Sequence, residues 1–211
     1  MRKFTRGHIT DFLKKYASDA STLDIGAGGN DHKELFPNRV TLDIDPARNP
    51  DIVGDAHALP FGAAHFEVVV CSEVFEHLQN PPQAVGEMWR VLKPGGLLVL
   101  TTRFIFPVHD APGDYWRFTP YGLRLLFSQW EILEIEAEAD PFGTIAVLLQ
   151  RIMFQTTLRG GKATKALLYV LALFFNTLSP LLKVQYGDIK RGSKVDILLT
   201  SGLFIACRKP L

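Results

Sequence analysis

At 211 residues, with 47% hydrophobic and 21% charged residues, the chain is long enough to bury one full core and too apolar to stay disordered. Its formal net charge of +1 supplies no basic face, so no nucleic acid or other polyanionic partner is expected. Cys71 and Cys207 lie in apolar strand-like runs, and the basic N-terminus lacks the apolar run of a secretory signal. Together these imply no disulfides and a reducing, cytoplasmic setting.

Ile9, Phe12, Leu13 and Tyr16 recur at helical spacing and predict an amphipathic helix ahead of the first strand. Short apolar runs then alternate with helical stretches: strands at 22–25, 40–44, 66–71 and 97–102, with helices near 31–35, 83–92 and 120–127. Such alternation predicts an α/β fold whose parallel sheet is covered on both faces. Lys93-Pro-Gly-Gly96 ends a helix, because Pro cannot continue it and Gly accepts a positive φ. Further strands follow at 130–139 and 203–208. Between them an apolar helical insertion, 143–183, is split at Arg159-Gly-Gly-Lys162 within the single domain 1–211.

Leu23-Asp-Ile-Gly-Ala-Gly-Gly-Asn30 is a strand entering a glycine turn, where backbone N–H groups can approach a ligand closely. A dinucleotide-binding G-x-G-x-x-G needs glycine at position 31. Asp31 stands there, and with Asp24 it suits a ligand carrying a sulfonium and an ammonium better than one carrying two phosphates. This favours S-adenosylmethionine over a nicotinamide dinucleotide. The next strand ends in Thr41-Leu-Asp-Ile-Asp-Pro46, where Asp43, or else Asp45, can accept ribose hydroxyls. Gly54-Asp-Ala-His-Ala-Leu-Pro-Phe61 then offers Asp55 to an adenine amino group.

These segments, with Val68-Val-Val-Cys-Ser-Glu-Val-Phe-Glu-His77 and Arg90-Val-Leu-Lys-Pro-Gly-Gly-Leu-Leu-Val-Leu100, resemble in order and spacing the motifs of class I methyltransferases of the type 11 small-molecule kind. Asn30 departs from a pattern that often has a third glycine. The resemblance implies a Rossmann-like, mostly parallel seven-stranded sheet with helices on both faces and S-adenosyl-L-methionine as cofactor. It implies Asp24, Gly26, Ala27 and Gly28 around the methionine end, Asp43 and Ile44 at the ribose, Asp55 and Ala56 at the adenine, and Ser72 at the reactive end. Asn80-Pro-Pro-Gln83 resembles a signature of amine methyltransferases, but it lies beyond the strand end and lacks the aromatic. It reads as a helix start.

The segment 104–120 follows a strand end and should face the transferable methyl. Within it, His109 is the candidate base, Asp110 its runner-up or orienting partner, and Tyr115 and Trp116 candidate pocket walls. Similar loops occur in methyltransferases linked to cell-surface glycan synthesis. His57 and His77 read as structural, and His8, His32 and His65 as surface residues. No cluster has metal-ligand spacing, so no metal is expected.

In the insertion, Ala166–Leu182 is apolar and flanked by Arg159, Lys162, Lys165 and Lys183. A single membrane crossing is disfavoured, since it would part the last strand from its sheet. Peripheral contact at the inner membrane surface, a homodimer interface and a cap over the active site remain. The expected function is O-methylation of a small or lipid-linked acceptor such as a sugar or glycan intermediate. The alternatives are C-methylation of a quinone-like lipid and a non-catalytic S-adenosylmethionine-binding module.

Overall fold

The computed structural model describes residues 4–28 and 32–211. Its strands are β1 (Thr22–Ile25), β2 (Arg39–Asp43), β3 (Ile52–Val53), β4 (Phe66–Ser72), β5 (Leu92–Arg103), β6 (Glu131–Ala137), β7 (Gln185–Tyr186), β8 (Lys194–Val195) and β9 (Gly202–Arg208). Its helices are α1 (Phe4–Lys14), α2 (Pro81–Val91), α3 (Pro120–Leu126), α4 (Pro141–Gln155) and α5 (Gly161–Asn176). Seven strands form one sheet in the order β3-β2-β1-β4-β5-β9-β6, and β7 pairs with β8 apart from it. β9 lies antiparallel between β5 and β6, while the other pairings in the sheet are parallel. Strand order reverses between β1 and β4, and ligands of such sheets bind in the crevice at that point.

Side chains alternate across the sheet and build a core on each face. On one face Val68, Val70, Val99, Phe204 and Ala206 pack with Phe12 and Leu13 of α1. On the other, Val69, Cys71, Leu98, Leu100 and Ile205 pack with Ala84 and Met88 of α2 and Leu123 of α3. Fully burying one side chain of this size is worth about 1.5–3 kcal/mol. Asn80 caps α2, its side chain accepting from Gln83 N with Pro81 in the first turn, which is the helix-start role expected for this segment.

Two local expectations are corrected. No helix forms over the described part of 31–35: Lys33–Leu35 are turns, because Phe36 must reach the core and Pro37 disfavours helical backbone at the residue before it. Asn30 and Asp31 lie outside the described residues. His32 is buried against Asp24, not on the surface. The seventh strand, which periodicity did not locate, is the two-residue β3 at the sheet edge.

The insertion forms α4 and α5, which pack on each other, with Gly160 (φ +81°) turning the chain between them. α4 buries Ala146, Val147 and Met153, whereas Ala172 is the one buried residue of α5. The stretch Gly161–Leu181 is long and apolar enough to cross a membrane by length and composition, yet its apolar window is only 6% buried.

Candidate active site

β1 runs into the glycine turn, and Gly26 there has φ +70°, a conformation L side chains rarely adopt. A Cβ at Gly26 would lie 2.0 Å from Val74 Cγ2, so the turn is closed to any larger residue. Gly28 N donates to Asp43 Oδ2 at 3.2 Å, and Asp45 N donates to Asp43 Oδ1 at 2.9 Å. Arg48 Nη1 donates to the Gly28 carbonyl at 2.6 Å, laying its side chain over the turn. These residues border a cavity of about 940 Å³ at the carboxyl ends of β1, β2 and β4.

Of the residues singled out for the cofactor, Gly26, Gly28, Asp43, Ile44, Asp55 and Ala56 line this cavity. Ile44 is 70% exposed, an apolar side chain held at the cavity edge beside Leu42 and Leu78. Burial pushes the Asp55 carboxyl up, but hydrogen bonds from the His57 backbone and ring outweigh it and hold the group below its usual value. His57 donates from Nδ1 to Asp55 Oδ1 at 2.6 Å and accepts from Asn80 N at Nε2, so both ring nitrogens serve the structure. The cavity fits an adenosyl sulfonium group: carboxylates at two strand tips for hydroxyls and an amine, and an apolar ledge for a ring.

Three residues singled out for the cofactor lie elsewhere. Asp24 is 1% exposed, with His32 Nδ1 at 3.3 Å and Arg39 Nε at 3.4 Å, because strand alternation turns it away from Ile25, which does line the cavity. Ala27 faces a second cavity of about 480 Å³ beside Arg39 and Asp51. Ser72 is buried against Thr101, its Oγ 3.1 Å from Thr101 Oγ1. Glu73, with φ +60°, and Val74 reach the cavity in its place.

At the other end, the loop after β5 is stitched by Asp114. Its carboxylate accepts from Nη1 and Nη2 of Arg117 at 2.6 Å and from His109 N at 2.9 Å. The Arg117 guanidinium holds the Asp114 carboxyl far below the usual range, against the opposing effect of burial. Tyr115 N and Trp116 N donate to the Glu76 carbonyl, and Trp116 Nε1 donates to the Leu78 carbonyl at 2.8 Å, docking the loop on the one-turn helix Phe75–His77. His109, Asp110 and Tyr115 line the cavity, while Trp116 stacks beside Phe118. His109 Nδ1 lies 3.4 Å from Asp114 Oδ2, and its Nε2 turns toward Glu76 Oε1 at 3.7 Å.

Several site residues escaped the sequence reading. Arg103, buried on β5, pairs with Glu73 and, at 2.7 Å, with Glu138. Phe106 is sandwiched between the Arg103 and Arg151 guanidiniums, each 4.3 Å from its centroid. Both arginines line the cavity, and Arg151 brings α4 into its wall. Glu76, His77 and His109 also come within 4.8 Å of one another, a set that spacing did not suggest because a whole helix and β5 separate its members in sequence. The signal available was the chain Glu73-Val-Phe-Glu-His77 at the end of β4, beside the crevice.

The family model described as a methyltransferase domain matches residues 7–100. A ubiquinone/menaquinone biosynthesis C-methyltransferase of Vibrio vulnificus is 27% identical over 190 residues, spanning 76% of this chain and 71% of that protein. A ubiquinone biosynthesis O-methyltransferase of Pseudomonas fluorescens is 28% identical over 99 residues, spanning 38% and 43%. Among solved structures, the 1,6-didemethyltoxoflavin-N1-methyltransferase of Burkholderia thailandensis, with bound S-adenosylhomocysteine, superposes with a TM-score of 0.55 at 14% identity, covering 99% of this chain and 79% of that one. The YcgJ protein of Bacillus subtilis does so at 0.57 and 14%, covering 98% and 99%. At such identities these two likenesses are of fold.

Proposed function

We propose that this chain, a class I S-adenosylmethionine-dependent methyltransferase, methylates a hydroxyl oxygen of a small or lipid-linked acceptor, with sugar and glycan intermediates the first class to test. The observation that carries the reading is the placement of His109 on the cavity wall, braced through Asp114 and Arg117, at the end away from Asp43 and Asp55. When bound, S-adenosylmethionine supplies an electrophilic methyl on sulfur. Asp43 accepts the ribose hydroxyls, Asp55 the adenine amine, and Ile44 packs on the ring. His109 meets the acceptor hydroxyl and draws off its proton, with Asp110 beside it as the second candidate. A positioned base of this kind contributes about 10²–10⁴-fold.

Lipid linkage is supported by the arm that continues from the cavity wall. Gln155, at the end of α4, lines the cavity and donates to the Val108 carbonyl at 2.9 Å. α5 then presents Leu167, Val170 and Phe174, all more than half exposed, between Arg159, Lys162, Lys165 and Lys183. That pattern suits peripheral contact with an anionic membrane at the cytoplasmic face. A single crossing would leave β9 across the bilayer from β5 and β6, its partners.

C-methylation of a quinone-like lipid is the second reading, favoured by the match to a quinone-pathway C-methyltransferase over most of the chain. The same placement of His109 serves it by removing a ring hydroxyl proton. Isotopically labelled methyl transfer to a panel of sugars, lipid-linked sugars and quinols, with the product bond assigned by NMR, separates the two. Label on oxygen, and a His109→Ala variant that binds cofactor normally but turns over about 10²–10⁴-fold more slowly, are expected. Label on ring carbon alone establishes the second reading, and full turnover by both His109→Ala and Asp110→Ala removes the base from this loop.

A further inference from the structure

Glu76 sits in the one-turn helix after β4 with its side chain fully buried. Oε2 accepts from Thr102 Oγ1 at 2.9 Å, whereas Oε1 has no hydrogen-bond partner among the described residues. His77 donates from Nδ1 to the Gly113 carbonyl at 2.7 Å, which leaves a lone pair on Nε2, 4.0 Å from Glu76 Oε1. His109 turns its own Nε2 to the same oxygen at 3.7 Å, with Asp114 behind its Nδ1. Three side-chain atoms able to act as ligands, Glu76 Oε1 and a ring nitrogen of each histidine, thus lie within 4.8 Å of one another. Burying such a carboxylate oxygen without a partner is costly, and a cation among the three removes that cost.

We propose that Glu76, His77 and His109 bind a divalent first-row transition cation at the acceptor end of the cavity. Two imidazoles and one carboxylate form a three-point set that leaves coordination positions open, and imidazole ligands select such ions over Mg²⁺ or Ca²⁺, which take oxygen. Bonds of about 2.0–2.2 Å place neighbouring ligand atoms roughly 3.0–3.5 Å apart, so the 3.7 and 4.0 Å gaps to Glu76, and separations within the set of up to 4.8 Å, close with each ligand atom moving by about 1 Å. The Gly113 carbonyl behind His77 is the kind of outer partner that ligating histidines require, and Asp114 Oδ2 stands 3.4 Å from His109 Nδ1, close enough to become one when the ring turns to a cation.

The inference rests on the hydroxyl-acceptor reading and alters the part of His109 within it. As a ligand, His109 gives its Nε2 lone pair to the cation, and the cation acidifies the hydroxyl it binds. The O–H bond breaks with its proton passing to the exposed Asp110 carboxylate and then to water. As the oxygen–methyl bond forms, the sulfur–methyl bond breaks and its electron pair stays on sulfur.

The test uses the full chain stripped with chelator and titrated with Co²⁺, followed by visible absorption and calorimetry, beside the Glu76→Gln and His77→Ala variants. S-adenosylmethionine titration checks that each variant is folded. One Co²⁺ per chain, displaced by Zn²⁺ but not by Mg²⁺, is expected, as is a loss of more than about 100-fold in both variants, exceeding the 10–100-fold typical of losing an outer partner. Absence of Co²⁺ uptake by a wild type that binds S-adenosylmethionine overturns the proposal, and so does uptake unchanged in both variants. Stripped protein should lose methyl transfer and regain it with Mn²⁺ or Co²⁺. Full activity after stripping overturns the cation while leaving O-methylation standing, whereas tight Co²⁺ binding with no hydroxyl methylation counts against the acceptor reading and not the site.

Discussion

Asp43 joins the glycine turn to the cofactor cavity, so removing it separates a binding contribution from a folding one. Asp43→Ala deletes the carboxylate assigned to the ribose. Hydrogen bonds to a charged group are worth about 1.5–3 kcal/mol, which corresponds to roughly a 10- to 140-fold rise in Kd. The variant also strips Gly28 N and Asp45 N of their acceptor at 3.2 and 2.9 Å. At about 1.5–3 kcal/mol for each of these two bonds to a carboxylate, and about 2–4 °C of Tm per kcal/mol for a chain of this size, melting should fall by roughly 6 °C or more. Asp43→Asn separates the two effects in part, since its single amide oxygen can still accept from one of the two N–H groups while the negative charge is gone. Calorimetric titration with S-adenosylmethionine, alongside thermal melts, should show both variants binding more weakly and the alanine variant melting lower than the asparagine one. Wild-type affinity in both variants would refute the ribose assignment.

Changing Leu173, Phe174 and Phe175 to Ser should weaken flotation with anionic liposomes by roughly 30- to 100-fold, since the half-exposed Leu173 and Phe174 contribute about 1 kcal/mol each, half of what full burial gives, and the less exposed Phe175 contributes less. A wild type that ignores liposomes and stays monomeric would sink the membrane proposal, and a stable detergent-free dimer would assign the arm to a subunit interface. Asp114→Asn removes the ion pair with Arg117. The native carboxyl is held below its unfolded value, so its stabilisation is complete above the unfolded pKa of about 3.9 and drains away as pH falls below it toward the folded value. Thermal melts should therefore show a gap between wild type and variant that is steady from pH 7 to about 5 and narrows below about 4; a gap unchanged at pH 2 would show that the pair does not contribute.

How much of this was legible in advance follows from the range of each signal. The strands and helices that frame the cofactor cavity rest on local patterns: apolar runs of strand length, a Pro-led helix start at Asn80–Pro82, glycines where φ turns positive. Gly26, Asp43 and Asp55 stand within a few residues of strand tips, and a parallel sheet delivers strand tips to one edge, so their convergence on a cavity needs little beyond element order. Asp24 and Ser72 show the limit of that argument. A motif names a position along a strand, but the pleat decides which face it takes, and the pleat turned both into the protein.

The acceptor end, by contrast, is assembled by long-range packing. Thirty-two positions separate His77 from His109, and no periodicity connects them; the loop after β5 must first be folded by Asp114 and Arg117 and then docked on the Glu76 carbonyl. Arg103, Phe106 and Arg151 likewise meet because β9 inserts antiparallel beside β5 and brings the α4–α5 arm back over the cavity. The sheet, its cofactor edge and the apolar character of the arm can be read along the chain, since each is written in neighbouring residues. The grouping of Glu76, His77 and His109 was decided by folding alone, because long-range contacts are selected by the packing of the whole sheet and leave no local pattern in the chain.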